Sequence, residues 1–101
     1  MDIKLISCGD RVTLQMTGRF DSGVSMDFFL MTAKAMVKHS SCDIEIDLEG
    51  VSYIDSSGLG KLIHLSQQLD EKGRRLIIVK PQHSVRKALD MFQLSKLMTI
   101  V

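Results

Sequence analysis

One short segment carries the residues of this chain that are best placed to do chemistry: an aspartate, two serines, and two glycines around a leucine. Asp55, Ser56 and Ser57 are all residue types that cap helices, because a short side-chain oxygen accepts an otherwise unpaired amide proton. Capping does not explain Gly58 and Gly60, since each glycine inside a helix costs about 1 kcal/mol relative to alanine. The two glycines indicate a bare surface that another molecule approaches closely, with capping and packing as the alternative.

Nucleophilic catalysis by Ser57 is not favoured by its sequence context. A nucleophile elbow has glycine two residues before the serine, whereas position 55 is an aspartate. A base within hydrogen-bond reach is also required, and the three histidines, His39, His64 and His83, have no marked partner. There is neither a phosphate-binding glycine loop with its lysine nor a cluster with metal-ligand spacing. We therefore predict a protein that is not an enzyme and that uses no metal or cofactor.

The composition is that of an ordinary globular domain. The chain has 101 residues, of which 45% are hydrophobic and 25% charged, and this length fits one domain. A formal net charge of +1 is too balanced for a protein that binds nucleic acid through phosphates. Cys8 and Cys42 are predicted to be reduced thiols. Apolar runs are far shorter than the ~20 residues that span a bilayer, so we expect a cytoplasmic protein with no direct membrane insertion.

Two hydrophobic periods alternate along the chain and define the elements that position this segment. In chain order, the predicted elements are strands at 3–6 and 12–16 joined by a turn at Gly9-Asp10, a helix at 22–38, a strand at 43–49, a helix from 55–57 to near Gly73, a strand at 76–79, a helix from 81–84 to 92, and a short edge strand at 97–101. Asp21 or Ser22 is expected to cap the first helix. Strand–helix–strand order implies parallel pairing with right-handed crossovers. If successive strands are also neighbours, all helices lie on one face of the sheet.

The strand at 43–49 alternates without a break, which assigns its side chains to two faces. Ile44, Ile46 and Leu48 are predicted to pack beneath the helices. The carboxylates are assigned to the opposite, solvated face: Asp43, Glu45, Asp47 and Glu49. Loops that leave the carboxyl ends of parallel strands meet at one edge of a sheet. Residues 18–22 and 52–60 are therefore expected to lie together.

The methionines and a group of basic residues are assigned either to packing or to the surface. Met31 and Met36 fit the spacing of a helix core, whereas Met26 and Met91 are candidates for a contact surface. Three basic residues, Lys72, Arg74 and Arg75, are expected to form a solvated helix end.

Three stretches of the sequence resemble one known family. Residues 55–60 read Asp-Ser-Ser-Gly-Leu-Gly, residues 18–21 read Gly-Arg-Phe-Asp, and residues 84–94 resemble the third helix of that family with its following turn. The family is that of STAS domains, and more narrowly the small single-domain anti-sigma factor antagonists of bacteria. The chain departs from the family pattern at Phe20, where leucine is commoner, and at Arg19, where glutamate is frequent.

The resemblance implies a fold and covers essentially the whole chain. It predicts a single STAS domain over residues 1–101, of the α/β class. The sheet is expected to be mixed and mainly parallel, with four to five strands, an N-terminal β-hairpin, and helices packed mainly on one face.

The resemblance also implies a regulatory binding module, an anti-sigma factor antagonist switched by phosphorylation. In that family the second serine of the motif accepts phosphate from a partner serine kinase, often itself the anti-sigma factor, and a PP2C-type phosphatase removes it. By position the acceptor here is Ser57, with Ser56 mainly structural, and the partner is bound when Ser57 is unphosphorylated. The residues expected to contact the partner are Asp21, Ser22, Asp55, Ser56, Ser57, Gly58, Leu59 and Gly60. The resemblance leaves open whether the protein is a monomer or a weak dimer.

A second function is compatible with the same resemblance. STAS subunits of membrane lipid-transport complexes of the ABC type share the fold and often the motif, and they dock on protein rather than on lipid. Neighbouring genes discriminate between the two: a serine kinase and a PP2C-type phosphatase, or a permease and an ATPase.

Overall fold

The computed structural model describes residues 1–38 and 42–101, so His39 lies outside the described residues. Five strands and three helices follow one another along the chain. They are β1 (Asp2–Cys8), β2 (Arg11–Phe20), α1 (Ser25–Lys38), β3 (Ile44–Ile54), α2 (Ser56–Asp70), β4 (Leu76–Val79), α3 (His83–Met91) and β5 (Thr99–Ile100). Single 3-10 turns at Ser22–Val24 and Leu94–Lys96 precede α1 and β5.

The strands form one sheet in the order β1-β2-β3-β4-β5, which is also their order in the chain. β1 and β2 pair antiparallel as an N-terminal hairpin, and the remaining pairs are parallel. The predicted α/β class, the hairpin and the mixed sheet of up to five strands are therefore confirmed. The predicted short edge strand is present as β5.

The helices cover one face of this sheet. Alternate residues of β2 are fully buried, namely Val12, Leu14, Met16 and Phe20, and the intervening side chains are partly or fully exposed. The buried strand residues share one core cluster with buried residues from all three helices, such as Phe28, Leu62 and Val85. In β3 the inward residues Ile44, Ile46 and Leu48 are fully buried, as predicted.

The assignment of Asp47 to a solvated face is wrong, because Asp47 is only 7% exposed. Asp47 lies on the central strand, where it pairs with Gln15 on one side and Val79 on the other. The register with β2 shifts just after this point, and the Asp47 Oδ1 accepts a hydrogen bond from the Glu49 N–H at 2.9 Å. The carboxylate thus satisfies a backbone donor at the irregularity instead of facing water. Glu45 is half-buried and Glu49 is exposed.

The strands also run further than predicted, which shortens both loops at the carboxyl edge. β2 continues to Phe20 and β3 to Ile54, so residues 18–20 and 52–54 of the predicted loops belong to strands, and residues 56–60 belong to α2. The pairing is irregular here, with a second register shift between Gly18 and Arg19. Gly18 has a φ of +117°, a backbone conformation that glycine adopts without strain.

Arg74 is buried, which overturns its assignment to a solvated helix end. Its Nε donates to the Cys42 carbonyl at 2.6 Å, and its Nη1 donates to the Met36 carbonyl near the end of α1 at 3.4 Å. The guanidinium therefore connects the segment after α2 to α1 and to the chain that enters β3. Cys42 itself is a half-buried free thiol.

Candidate functional site

The carboxyl ends of β2 and β3 bring the two predicted site segments together. Phe20 and Ile54 are paired across the strands, and the Asp55 N–H donates to the Phe20 carbonyl at 3.3 Å. Asp21 follows the first of these residues and Asp55 the second. The chain leaves the sheet at adjacent points, with Ser22 exposed on one side and α2 beginning on the other.

Asp55 caps α2, and neither serine does. Its backbone is extended, with φ −111° and ψ −175°, and its Oδ1 accepts from the Gly58 N–H at 3.0 Å. Ser56 and Ser57 are the first two residues of the helix. The interpretation of Ser56 as a mainly structural residue is wrong in so far as it rested on capping, and its side chain is exposed. Ser57 is half-buried.

The two glycines of the motif have different surroundings. A Cβ on Gly58 would lie 2.5 Å from the Phe20 carbonyl oxygen and 2.8 Å from Ile54 Cγ1, so this glycine lets the helix pack against the strand ends. A Cβ on Gly60 would meet nothing within 4 Å. Leu59 lies between them in the core. The expectation of a bare surface therefore applies to Gly60 and is wrong for Gly58.

Ser57 is hydrogen-bonded to a lysine one helical turn later. The Lys61 Nζ lies 2.7 Å from the Ser57 Oγ and 3.4 Å from the Ser57 carbonyl oxygen. A negative charge on Ser57 would consequently form next to a cation that is already in position. Sequence reasoning missed Lys61, because the motif ends before it. The spacing could have indicated it, since residues at i and i+4 on a helix are neighbours.

An apolar groove of about 280 Å³ extends from Ser57 between α1 and α2. Phe28, Phe29 and Thr32 form the α1 wall. The α2 wall is formed by Ser57, Gly60, Lys61, His64, Leu65 and Gln68. The open position at Gly60 is thus part of the wall, and a partner side chain can enter the groove over it.

A charged rim lies on the strand side of the site. The Arg19 guanidinium carbon lies 4.1 Å from the centroid of the Tyr53 ring, and the Arg19 Nε is 3.7 Å from the Asp21 Oδ2. The other carboxylate oxygen of Asp21 accepts from the Gly23 N–H at 3.0 Å. Asp21 is therefore oriented from both sides, and Arg19, a position that departs from the family pattern, supplies the cation.

The described residues also bear on metal binding and on membrane spanning. Within residues 1–38 and 42–101, no group of three or more His, Cys, Asp or Glu is arranged to hold a metal ion. No helix in the described part of the chain is both long and apolar enough to cross a membrane. His64 is exposed on the α2 wall of the groove, and His83 is exposed at the start of α3.

Comparisons with known proteins agree with this architecture. The STAS domain family model matches residues 5–101. A STAS-domain containing protein of Pseudomonas aeruginosa is 30% identical over 92 residues, which cover 91% of this chain and 89% of that protein. An anti-sigma F factor antagonist of Paenibacillus polymyxa is 27% identical over 88 residues, which cover 86% of this chain and 74% of that protein.

Solved structures show the same fold at lower identity. The anti-sigma factor antagonist SpoIIAA in its unphosphorylated form superposes with a TM-score of 0.76 at 21% identity, covering 99% of this chain and 87% of that one. The Bacillus SpoIIAA in its phosphorylated form gives a TM-score of 0.75 at 21% identity, covering 99% and 91%. The chain therefore has the fold that those structures share.

Proposed function

The chain belongs to the STAS domain family, and from that premise we propose that it is an anti-sigma factor antagonist whose partner binding is switched by phosphorylation of Ser57. The family assignment and the similarity to anti-sigma factor antagonists support the general class. The switch itself is supported by the position and surroundings of Ser57.

The observation that carries the proposal is the hydrogen bond between the Lys61 Nζ and the Ser57 Oγ at 2.7 Å. A phosphoserine carries about −1.5 to −2 charges at neutral pH. At the first turn of α2 this charge would meet Lys61 and the positive end of the helix dipole, which is worth about 0.3–1 kcal/mol near a surface. Phosphorylation is therefore compatible with the folded domain and acts on its surface.

The groove explains why a phosphate would end partner binding. In the unmodified form, Ser57 presents a small hydroxyl beside the apolar walls of the groove. Gly60 leaves an open position next to it. A partner that covers this groove must remove water from it. Removing water from a phosphate dianion costs far more than removing it from a hydroxyl, because a buried charge is stable only when it is fully paired. Lys61 supplies one positive charge, which does not neutralise a dianion.

Two structural observations support the proposal that Ser57, and not Ser56, is the acceptor. It lines the groove and contacts Lys61, so a phosphate there changes the surface that a partner would cover. Ser56 is exposed and does not line the groove. We propose an anti-sigma factor with serine kinase activity as the partner, and a PP2C-type phosphatase as the enzyme that restores the binding form in the cytoplasm.

Regulation rather than catalysis fits the site. A serine beside a lysine serves hydrolysis only when donors also face the reacting oxygen. The Gly58 N–H, at the start of the same helix, is already bound by Asp55. Members of this antagonist family act as regulators, and we propose the same role here. Ester, phosphate or nucleotide hydrolysis that disappears in Ser57→Ala would contradict it.

A capture experiment with three forms of the protein tests the proposal. Wild type and Ser57→Ala should retain the partner kinase from a native lysate. Ser57→Asp should bind at least about tenfold more weakly, a change of 1.4 kcal/mol, with little change in melting temperature. Ser56→Ala is the matched control and should still accept phosphate at Ser57. Phosphate found on Ser56, or equal binding by Ser57→Asp, would defeat the assignment, and capture of a permease and ATPase would favour the lipid-transport role.

A further inference from the structure

The outward face of α1 is apolar along its whole length. Met26, Leu30 and Val37 are 67%, 56% and 82% exposed, and the exposed Ala33 lies between them. The opposite face of the same helix is buried in the core through Phe28, Thr32 and Ala35. A helix that is apolar on both faces is typical of a helix covered on both sides. We call Met26, Leu30, Ala33 and Val37 the α1 seam.

The α1 seam has the spacing of a coiled coil. Its residues follow one another at intervals of four, three and four, which is the a/d pattern of a heptad repeat over two heptads. At about 100° per residue, the seam lies on the side of the helix opposite Phe28 and Ala35. The residues that would form knobs therefore point away from the domain, toward a second helix.

The charges beside the α1 seam favour a particular partner and orientation. Asp27 and Lys34 are seven residues apart and flank the seam on the same side, while Phe29 and Met36 occupy the other flank. In a parallel helix pair, each flank meets the opposite flank of its neighbour, so the two charges would meet apolar residues. In an antiparallel pair, each flank contacts the same flank of the second helix. Asp27 of each copy then faces Lys34 of the other.

We propose that this chain self-associates through α1, with two copies of the helix packed antiparallel along the α1 seam. Met26 of each copy then faces Val37 of the other, and Leu30 faces Ala33, so that every layer pairs a larger side chain with a smaller one. Two heptads make a short interface, so we expect a weak dimer that exchanges with the monomer. This inference is independent of phosphorylation at Ser57.

Sedimentation velocity of the full chain over a range of micromolar concentrations tests self-association. Wild type should shift from monomer to dimer, and Leu30→Asp should raise the dissociation constant at least about tenfold by placing a charge in the seam. Met91→Asp is the matched control, since Met91 is 70% exposed on α3, away from the seam; it should dimerise as wild type does. Circular dichroism confirms that each variant is folded. A wild type that stays monomeric, or equal loss in both variants, would overturn the proposal.

Charge reversal tests the orientation. Asp27→Lys and Lys34→Asp should each raise the dissociation constant by about threefold or more, because each creates like charges across the pair. The double variant should return to wild-type association, since it restores opposite charges in the antiparallel arrangement only. Single variants that associate as wild type does, or a double variant weaker than both, would overturn the antiparallel pairing.

Discussion

The two sides of the first turn of α2 have opposite surroundings, although their residues are neighbours in one short motif. On the inward side, Gly58 and Leu59 are buried against the strand ends and the core. On the outward side, Ser57, Gly60 and Lys61 line an open groove. The motif therefore combines a packing element with an open surface, which is the binding element of the proposed function. Gly58 and Leu59 are thus explained by packing alone, whereas Gly60 is not.

The largest difference in stability between the two sides is expected for substitution of Leu59. Leu59→Ala removes a buried side chain from the core and should lower the free energy of unfolding by about 2–5 kcal/mol. The matched outward variant is His64→Ala, which removes an exposed side chain of the same helix and should stay within about 0.5 kcal/mol of wild type. Urea unfolding measures both. Similar losses in the two variants would remove the distinction.

The glycines provide the next largest contrast. Gly58→Ala should destabilise by about 1–3 kcal/mol, because its Cβ would collide with a backbone oxygen that cannot move aside. Gly60→Ala should instead stabilise by up to about 1 kcal/mol, since alanine favours the helix and meets open space. If the groove binds the partner, Gly60→Ala should also weaken that binding. Thermal unfolding of Gly58→Ala at or above the wild-type midpoint would contradict the packing role.

Capping gives a smaller effect that separates neighbouring residues. Asp55→Ala should cost about 1 kcal/mol, because it leaves the Gly58 N–H without its acceptor. Ser56→Ala should be nearly neutral, since the cap is already supplied. A larger loss in Ser56→Ala than in Asp55→Ala, measured in urea, would transfer the capping role to the serine.

The smallest effect concerns the contact between Ser57 and Lys61. An i,i+4 ion pair on a helix contributes about 0.2–0.5 kcal/mol. A double-mutant cycle with Ser57→Asp and Lys61→Met should give a coupling of that size, which high salt should reduce. Lys61→Met should therefore cost less in the wild-type background than in the Ser57→Asp background, because a hydroxyl carries no charge. Zero coupling at low salt would show that Lys61 does not pair with a charge at position 57.

Much of the fold follows from local patterns in the sequence. The alternation of Ile44, Ile46 and Leu48 was enough to place a strand and its inward face, because that pattern does not depend on a distant partner. The burial of Asp47 was not predictable in this way, since it depends on the irregular register between β3 and β2. The burial of Arg74 was also not predictable from local patterns, because its acceptors lie more than thirty residues earlier in the chain.

The candidate site was predictable in outline and not in its division of roles. Three residues at 55–57 can each cap a helix, and only the extended backbone of Asp55 selects the cap. The role of Gly58 depends on Phe20, which is distant in sequence and adjacent in the sheet. Lys61 is different, since its contact with Ser57 spans one helical turn and follows from the sequence once α2 is assigned.

The agreement between strand order and chain order has a consequence for how the molecule is made. From β2 onward, each strand has as a neighbour in the sheet the strand that was synthesised just before it. Val12 pairs with Ile44 and Ile44 with Leu76, so successive parallel pairings close loops of similar length. The entropic cost of loop closure grows only slowly with loop length, so these pairings differ little in that cost. The β1–β2 hairpin is thus synthesised before the strands that extend the sheet, and the two-residue strand β5 is synthesised last.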